Sequence, residues 1–269
     1  MVRFLHITDS HLRGDSTYSH YGHPPEGSLR QLVQNINALP FSFDFILHSG
    51  DVVDDEQPDS YANAKAILSA LRAPIHYVVG NHDNARLLQQ TLVGIATPAP
   101  RYDYAFEQGG VQFVGLDSTS LHEQPGGELT SEQLDWLAGY CQPDGLPLAI
   151  FVHHLPLPLA VPWLDEVITM PSAMIISNHA AFRAVLRPAA QRLRGVFFGH
   201  IHRSSQSVEH GILYSSAPST FGQLRTWPEM RAPEPSPEEA PGYCLVTIDA
   251  GRTIVQQYTF ARPAVSVAN

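Results

Sequence analysis

The sequence predicts an α/β fold in which strands alternate with helices. Short apolar runs and amphipathic segments follow one another from residue 2 to residue 79, which is typical of a βαβαβ unit. The run at Phe43, Phe45, Ile46 and Leu47 favours a short strand buried on both faces. Further strands, predicted near the carboxyl end of the chain, suit a second sheet packed on the first.

The elements can be placed in chain order. Strands are predicted over residues 2–8, 43–48, 75–79, 112–116, 148–152, 196–198, 212–215, 243–248 and 253–260. Helices are predicted over residues 28–39, 60–71 and 178–194, the last interrupted at Pro188. Thr130 and Gln133 have the spacing of a capping box, which predicts another helix start.

We expect a single domain over residues 1–269. Residues 228–241 contain five prolines and four glutamates, so we expect a loop there. A solvated excursion is one interpretation of this loop, and the wider segment 223–241 is a candidate lid or oligomer contact.

Composition limits the classes of partner. With 16 Lys+Arg against 26 Asp+Glu, the formal charge is −10, so we expect no nucleic acid polymer as partner. Two cysteines cannot form a disulfide framework. The sequence contains no apolar run of membrane-spanning length and no signal-peptide pattern at its start, so we expect a cytoplasmic protein and no membrane partner.

Ligand-capable residues follow several of the predicted strands. Gly50 permits a tight turn that holds Asp51 at a strand end, the edge where open α/β sheets bind ligands. Asp9 and His11, separated by one residue, can both turn towards one metal ion. His200 and His202 have the same spacing and can face different ions.

The tetrapeptide Gly80-Asn81-His82-Asp83 is the most specific motif. The amide oxygen of Asn81 can ligate a metal, while His82 can point at a substrate with Asp83 orienting its ring. His153 and His154 follow the strand at residues 148–152. His154 is a candidate substrate contact because it adjoins a ligand position. Tyr21 lies in a histidine-containing loop that is either solvated or faces the substrate.

Taken in order, these motifs resemble those of the calcineurin-like metallophosphoesterase family over residues 9–202. Within that family the chain looks most like the bacterial class III cyclic nucleotide phosphodiesterases and the related glycerophosphodiesterases. The resemblance implies a four-layer α-β-β-α sandwich of two mixed sheets flanked by helices. It also implies a binuclear metal site with Asp9, His11 and His202 on one ion, Asn81, His153 and His200 on the other, and Asp51 bridging both.

The expected reaction is attack on a phosphodiester by a metal-bound hydroxide, since metal ions lower the pKa of bound water. Asn81, His82, His154 and Tyr21 are the expected substrate contacts, and His82 would protonate or stabilise the leaving group. We expect 3′,5′-cyclic nucleotides such as cAMP as substrates, with glycerophosphodiesterase or broad-specificity phosphodiesterase activity as alternatives.

Three points stay open at this level. Imidazole and oxygen ligands suit manganese, iron, zinc or cobalt equally. A homo-oligomer, dimeric or larger, is suggested by resemblance alone. A non-catalytic scaffold is the alternative from another class, although every expected ligand position is filled in this sequence.

Overall fold

A computed structural model describes residues 1–120, 125–168, 173–249 and 251–262. The strands are β1 (Val2–Ile7), β2 (Phe45–His48), β3 (Ile75–Tyr77), β4 (Tyr104–Gln108), β5 (Val111–Gly115), β6 (Leu148–Phe151), β7 (Leu193–Phe198), β8 (Ser205–Glu209), β9 (Ile212–Ser216), β10 (Gln223–Leu224), β11 (Pro235–Ser236), β12 (Gly242–Asp249) and β13 (Arg252–Thr259). The helices are α1 (Pro25–Asn37), α2 (Pro58–Leu68), α3 (Ala85–Leu88), α4 (Ser131–Tyr140), α5 (Pro162–Asp165) and α6 (His179–Leu186).

Two mixed sheets form the centre of the molecule. The first has the order β13-β12-β1-β2-β3, in which β1, β2 and β3 run parallel and β12 pairs antiparallel to β1. The second has the order β4-β5-β6-β7-β9-β8, with a parallel centre and antiparallel strands at both edges. The parallel strands of each sheet therefore deliver their carboxyl ends to one edge.

An aromatic core fills the space between the two sheets. Phe4 of β1 stacks on Phe45 of β2 with ring centroids 4.9 Å apart. Across the interface, the Phe4 ring meets the edges of Phe151 at 5.7 Å and Phe197 at 5.2 Å. Because side chains alternate along a strand, the same elements also present apolar residues to the opposite face.

The outer faces of the sheets are covered by helices. Leu5 and Ile7 of β1 belong to a buried cluster with Leu29 and Leu32 of α1. On the second sheet, Ile150 lies in a cluster that includes residues of α4 and α6. The layers thus run helix, sheet, sheet, helix, which confirms the predicted sandwich.

Helix boundaries follow local chemistry. Pro25 and Pro58 occupy the first helical positions of α1 and α2, where the missing amide proton costs no hydrogen bond. The predicted capping box is present, because Thr130 accepts from the Gln133 amide and the Gln133 side chain accepts from the Thr130 amide.

Two sequence predictions need correction. The helix predicted over 178–194 ends at Leu186 and is followed by a 3₁₀ turn (Arg187–Ala189), since Pro188 cannot continue an α-helix. Strand β7 then begins at Leu193 rather than at residue 196. The edge strand β8 has no counterpart in the prediction because its residues are partly exposed and carry no apolar run.

The segment 223–241 is more ordered than a plain loop. Its strands β10 and β11 pair antiparallel, with Gln223 opposite Ser236 and Leu224 opposite Pro235. Within it, the carbonyl of Met230 accepts a hydrogen bond from the backbone amide of Trp163 at 3.1 Å. The segment is therefore attached to α5, and its role as a lid or oligomer contact stays a prediction.

Candidate metal centre

The predicted ligands collect where the carboxyl ends of parallel strands from both sheets meet. In the first sheet they follow β1, β2 and β3, and in the second sheet they follow β6 and β7. The residues concerned are Asp9, His11, Asp51, Asn81, His153, His200 and His202. Their side chains are buried or nearly so, with only Asn81 partly exposed. Seven side chains from five strand ends thus come together in one place.

The first group contains Asp9, His11 and His202, whose ligand atoms all lie within 4.8 Å of one another. The Nε2 atoms of His11 and His202 are 3.0 Å apart, and Nε2 of His202 is 3.6 Å from a carboxylate oxygen of Asp9. The Nδ1 of His202 faces the carbonyl of Gly222 at 3.0 Å, and that of His11 faces the carboxylate of Asp54 at 3.1 Å.

These partners determine the tautomers. Because carbonyl and carboxylate oxygens only accept hydrogen bonds, both Nδ1 atoms carry the proton and both Nε2 atoms carry a lone pair. Two lone pairs facing each other across 3.0 Å, beside a carboxylate, repel unless a proton or a metal cation lies between them. The donor set of the first group therefore fits a metal ion.

The second group contains Asn81, His153 and His200. Nε2 of His153 lies 3.1 Å from Nδ1 of His200 and 3.2 Å from Oδ1 of Asn81. Nδ1 of His153 faces the carbonyl of Ser49 at 2.8 Å, so its Nε2 is the atom that faces the other members of the group. This group also presents acceptor atoms to a common point and fits a second cation.

Asp51 joins the two groups. Its Oδ2 lies 3.3 Å from Nε2 of His153 and 3.6 Å from Nε2 of His11. Its Oδ1 accepts a hydrogen bond from the backbone amide of His82 at 2.9 Å. Burial alone would raise the pKa of Asp51, but the positive charges of His153 and His82 lower that pKa well below its usual value. An ionised carboxylate is therefore shared between the groups.

The electrostatics of the site favour positive charge. Burial opposes a charge on His153, yet the carboxylates of Asp51 and Asp9 raise its pKa to about 9. A proton or a metal cation can supply that charge. Burial lowers the pKa of His200 and of His202 well below 6.5, which keeps both rings neutral and available as ligands at neutral pH.

The backbone at the site is strained and closely packed. Five of the predicted ligands have positive φ, a conformation that costs non-glycine residues about 1–3 kcal/mol and is concentrated at functional sites. They are Asp9 (53°), His11 (43°), Asp51 (52°), His200 (71°) and His202 (48°). A Cβ at Gly80 would lie 2.2 Å from Oδ1 of Asp51, and one at Gly50 would lie 2.3 Å from Nδ1 of His153. Only glycine at these two positions lets the backbone lie this close to Asp51 and His153.

The structure changes the expected partner of His82. The Asp83 carboxylate accepts hydrogen bonds from the backbone amides of Gly80, Val52 and Val53, and from the Tyr61 hydroxyl. These contacts hold the turns on either side of Asp51 in place. Asp83 does not orient the His82 ring, which corrects the prediction that it would. The ring of His82 lies instead against the Asp54 carbonyl, 3.2 Å from Nδ1.

Asp54 is a site residue that the sequence analysis missed. Its carboxyl group is 4% exposed and accepts from His11, from the guanidinium of Arg13 and from the hydroxyl of Tyr18. Burial would raise the pKa of Asp54, but these contacts lower it below its usual range. The only signal in the sequence was its position three residues after Asp51. It was missed because it does not stand directly at the end of a strand.

The remaining predicted substrate contacts fall in different places. Tyr21, Asn81 and His82 line a cavity of about 270 Å³ together with ligands of both groups. His154 does not line it. Its ring is fully buried behind His200, 4.7 Å between centroids, with Nδ1 2.8 Å from the Ser118 hydroxyl. His154 therefore lies beside the second group, with a ring nitrogen within 4.8 Å of ligand atoms of His153 and His200, and its role as a substrate contact stays a prediction.

Apart from His20, the rest of the cavity wall is apolar. Its side chains are Pro125, Trp163, Met174, Leu224 and Pro233. No lysine or arginine is found among the described residues that line the cavity.

Elsewhere in the described chain, none of the helices combines the length and apolar character needed to cross a membrane.

Comparison with known proteins agrees with this geometry. Residues 2–204 match the family model of the calcineurin-like phosphoesterases. The chain is 28% identical over 255 residues to a 3′,5′-cyclic-nucleotide phosphodiesterase of Nostoc, covering 94% of this chain and 90% of the relative. It is 26% identical over 225 residues to a glycerophosphodiester phosphodiesterase of Enterobacter lignolyticus, covering 81% of this chain and 77% of that one.

A solved structure shows the same fold. The crystal structure of a dimetal phosphatase from Danio rerio superposes with a TM-score of 0.69 at 16% sequence identity, covering 96% of each chain. At that identity the likeness concerns the fold alone. The family match spans most of the chain, and the motifs it covers are those that form the two groups of ligands. The chain therefore belongs to the calcineurin-like phosphoesterase family and is a hydrolase of phosphate esters.

Proposed function

We propose that the protein is a phosphodiesterase with a binuclear metal centre that hydrolyses small phosphodiesters, with 3′,5′-cyclic nucleotides such as cAMP as substrates. The observation that carries the proposal is the position of Asp51, whose Oδ2 lies within 3.6 Å of Nε2 in both His11 and His153. A carboxylate placed between two groups of imidazoles is suited to bridging two ions.

The ligand roles follow the grouping in the structure. Asp9, His11 and His202 would hold one ion, Asn81, His153 and His200 the other, and Asp51 would contact both. When bound, such ions supply Lewis acidity and lower the pKa of coordinated water to about 7. The mixture of imidazole, carboxylate and amide ligands suits manganese, iron, zinc or cobalt.

The chain itself contributes orientation and proton transfer. The Asp54 carbonyl accepts from Nδ1 of His82, so a protonated His82 ring keeps its Nε2 proton free to donate. His82 lines the cavity, and its side chain is 39% exposed, which allows contact with a departing alkoxide. We assign His82 as the general acid, or as a donor that stabilises charge on the leaving oxygen.

The substrate assignment is supported by the Nostoc relative, which is named a cyclic-nucleotide phosphodiesterase. Glycerophosphodiester hydrolysis is the alternative, supported by the Enterobacter relative. The scaffold alternative is disfavoured because all seven predicted ligand side chains are present and gathered at one place.

The deciding experiment combines metal analysis with a substrate panel. The purified protein, loaded with manganese, is assayed on cAMP, cGMP, glycerophosphocholine and bis(4-nitrophenyl) phosphate, and its metal content is measured after dialysis. We expect two metal equivalents per chain, activity that a chelator abolishes, and cyclic nucleotides as the best substrates. Asp51→Ala should lose metal and turnover together, whereas the exposed control Asp135→Ala on α4 should retain both. Full metal content and rate in Asp51→Ala would contradict the proposal.

A further inference from the structure

We propose that the apolar part of the cavity wall, with Trp163 as its specific contact, binds the purine base of a cyclic nucleotide. This inference rests on the proposed function and goes further by assigning the part of the site that selects the substrate.

The lining residues fall into two chemical kinds. The polar kind consists of the imidazole and carboxylate groups of the metal centre together with His20, Tyr21 and Asn81, and the apolar kind consists of Pro125, Trp163, Met174, Leu224 and Pro233. A cyclic purine nucleotide is divided in a similar way, into an anionic phosphodiester and a planar aromatic base. A glycerophosphodiester has no such planar part, and an apolar wall would offer its hydroxyl groups no hydrogen-bond partner.

Trp163 supplies a polar feature within this wall. Its side chain is 3% exposed, and its indole Nε1 is buried without a hydrogen-bond partner among the described residues. Buried tryptophans normally find a partner for this proton, so an unpaired one calls for an explanation. The ring nitrogens of a purine are acceptors whose lone pairs lie in the plane of the base, and the indole N–H lies in the plane of the Trp163 ring. A base that approaches Trp163 edge to edge therefore gives this proton a partner.

The wall around Trp163 is held in place before any ligand arrives. The backbone amide of Trp163 donates to the Met230 carbonyl, and the Asp165 carboxylate accepts from the amides of Leu159 and Val161. The amide of Met174 donates to the Leu164 carbonyl at 2.9 Å. Binding a base would therefore need little reordering of the backbone, which favours affinity.

The segment 223–241 takes part in the same wall. Leu224 and Pro233 come from its two sides, and the amide of Arg225 donates to the carbonyl of Glu234 at 2.9 Å to hold them together. This places a stretch predicted as a lid or oligomer contact at the edge of the substrate cavity.

The test compares two ligands that differ only in the base. These are cAMP and the cyclic 3′,5′-phosphate of 1-O-methylribose, which has no base. In Trp163→Leu we expect KM for cAMP to rise at least about tenfold, the size typical of losing an aromatic contact with a base. We expect kcat/KM for the base-free analogue, and the metal content, to stay within about twofold of wild type, because neither depends on a base contact.

Trp163→Phe keeps an aromatic ring but removes the indole proton. We expect it to raise KM for cAMP by about fivefold, as for the loss of one hydrogen bond. The control Trp136→Phe, at a partly exposed position on α4, should leave all values unchanged. Equal losses on both ligands in the Trp163 variants, or no loss on either, would overturn the proposal.

Binding of AMP to the manganese-loaded protein, measured by calorimetry, separates the two levels of inference. In one outcome, wild type binds AMP, Trp163→Leu binds it at least about tenfold more weakly, and neither protein hydrolyses any phosphodiester. The proposed function then fails, while the base site stands. If wild type hydrolyses cAMP and AMP binding is unaffected in Trp163→Leu, the base site fails while the proposed function stands.

Discussion

Nδ1 of His11 lies 3.1 Å from a carboxylate oxygen of Asp54, so a predicted metal ligand is oriented by a residue outside the predicted ligand set. The contact fixes the proton on Nδ1 and leaves Nε2 to face His202 and Asp51. Asp54 is itself held by Arg13 and Tyr18. Such outer contacts hold the ring and raise the basicity of the ligand atom.

Asp54→Asn should therefore weaken metal binding without unfolding the protein. Loss of an outer-shell partner typically lowers metal affinity by about 10- to 100-fold. Titration of the metal-free protein with manganese by calorimetry measures the change. Asp55→Asn is the matched control, because Asp55 is adjacent but contacts Ser60 and not His11. Equal affinities in Asp54→Asn and wild type would contradict the assignment.

Replacing His82 should affect the reaction and not the metal centre. The hydrogen bond from residue 82 to Asp51 is made by the backbone amide, which alanine retains. We expect His82→Ala to keep two metal equivalents and to lower kcat on cAMP by about 10²- to 10⁴-fold.

A comparison of leaving groups gives the control for His82→Ala. Bis(4-nitrophenyl) phosphate releases a stable phenolate that needs no proton, so its hydrolysis should fall much less than that of cAMP. An equal loss on both substrates would argue against a role in protonating the leaving group.

Gly80→Ala should displace Asp51. The new Cβ would lie 2.2 Å from its Oδ1 and 2.3 Å from its backbone nitrogen, and neither contact can be relieved by a flexible side chain. We expect metal affinity to fall by at least about tenfold, as when a ligand loses its orientation. Gly139→Ala on α4 meets nothing within 4 Å, and should leave metal binding unchanged while raising stability by about 0.5–1 kcal/mol. Wild-type affinity in Gly80→Ala would count against a tightly constrained Asp51.

Stability should fall in acid because of buried histidines outside the ligand set. Burial lowers the pKa of His6 and of His48 to about 3, from an ordinary value of 6.5. Between these values the unfolded chain binds protons that the folded chain does not, so the free energy of unfolding decreases as pH falls below 6.5. Each ring should contribute a slope of roughly 1 kcal/mol per pH unit.

Urea unfolding of the chelated protein at pH 7, 6 and 5 measures this dependence. His6→Gln should reduce the slope, because residue 6 no longer titrates in the unfolded chain. His210→Asn, at an exposed turn, should not change it. A slope that is the same in His6→Gln and wild type would exclude His6 as a contributor.

The sequence by itself determined the alternation of strands and helices and the chain positions of the ligand-capable residues. Local rules are sufficient for both, because apolar periodicity defines a buried element and a glycine at its end allows a polar residue to turn into a ligand position. Asp9, Asp51, Asn81, His153 and His200 could be found in this way, since each follows a buried strand.

Only the tertiary structure decided which side chains meet. Asp54 contacts His11 across 43 positions of sequence, and Asp83 contacts Val52 and Val53 instead of the neighbouring His82 ring. Trp163, Leu224 and Pro233 form one wall although they come from separate segments. These relationships depend on how two sheets pack face to face, and packing between distant segments leaves no periodic pattern in the sequence.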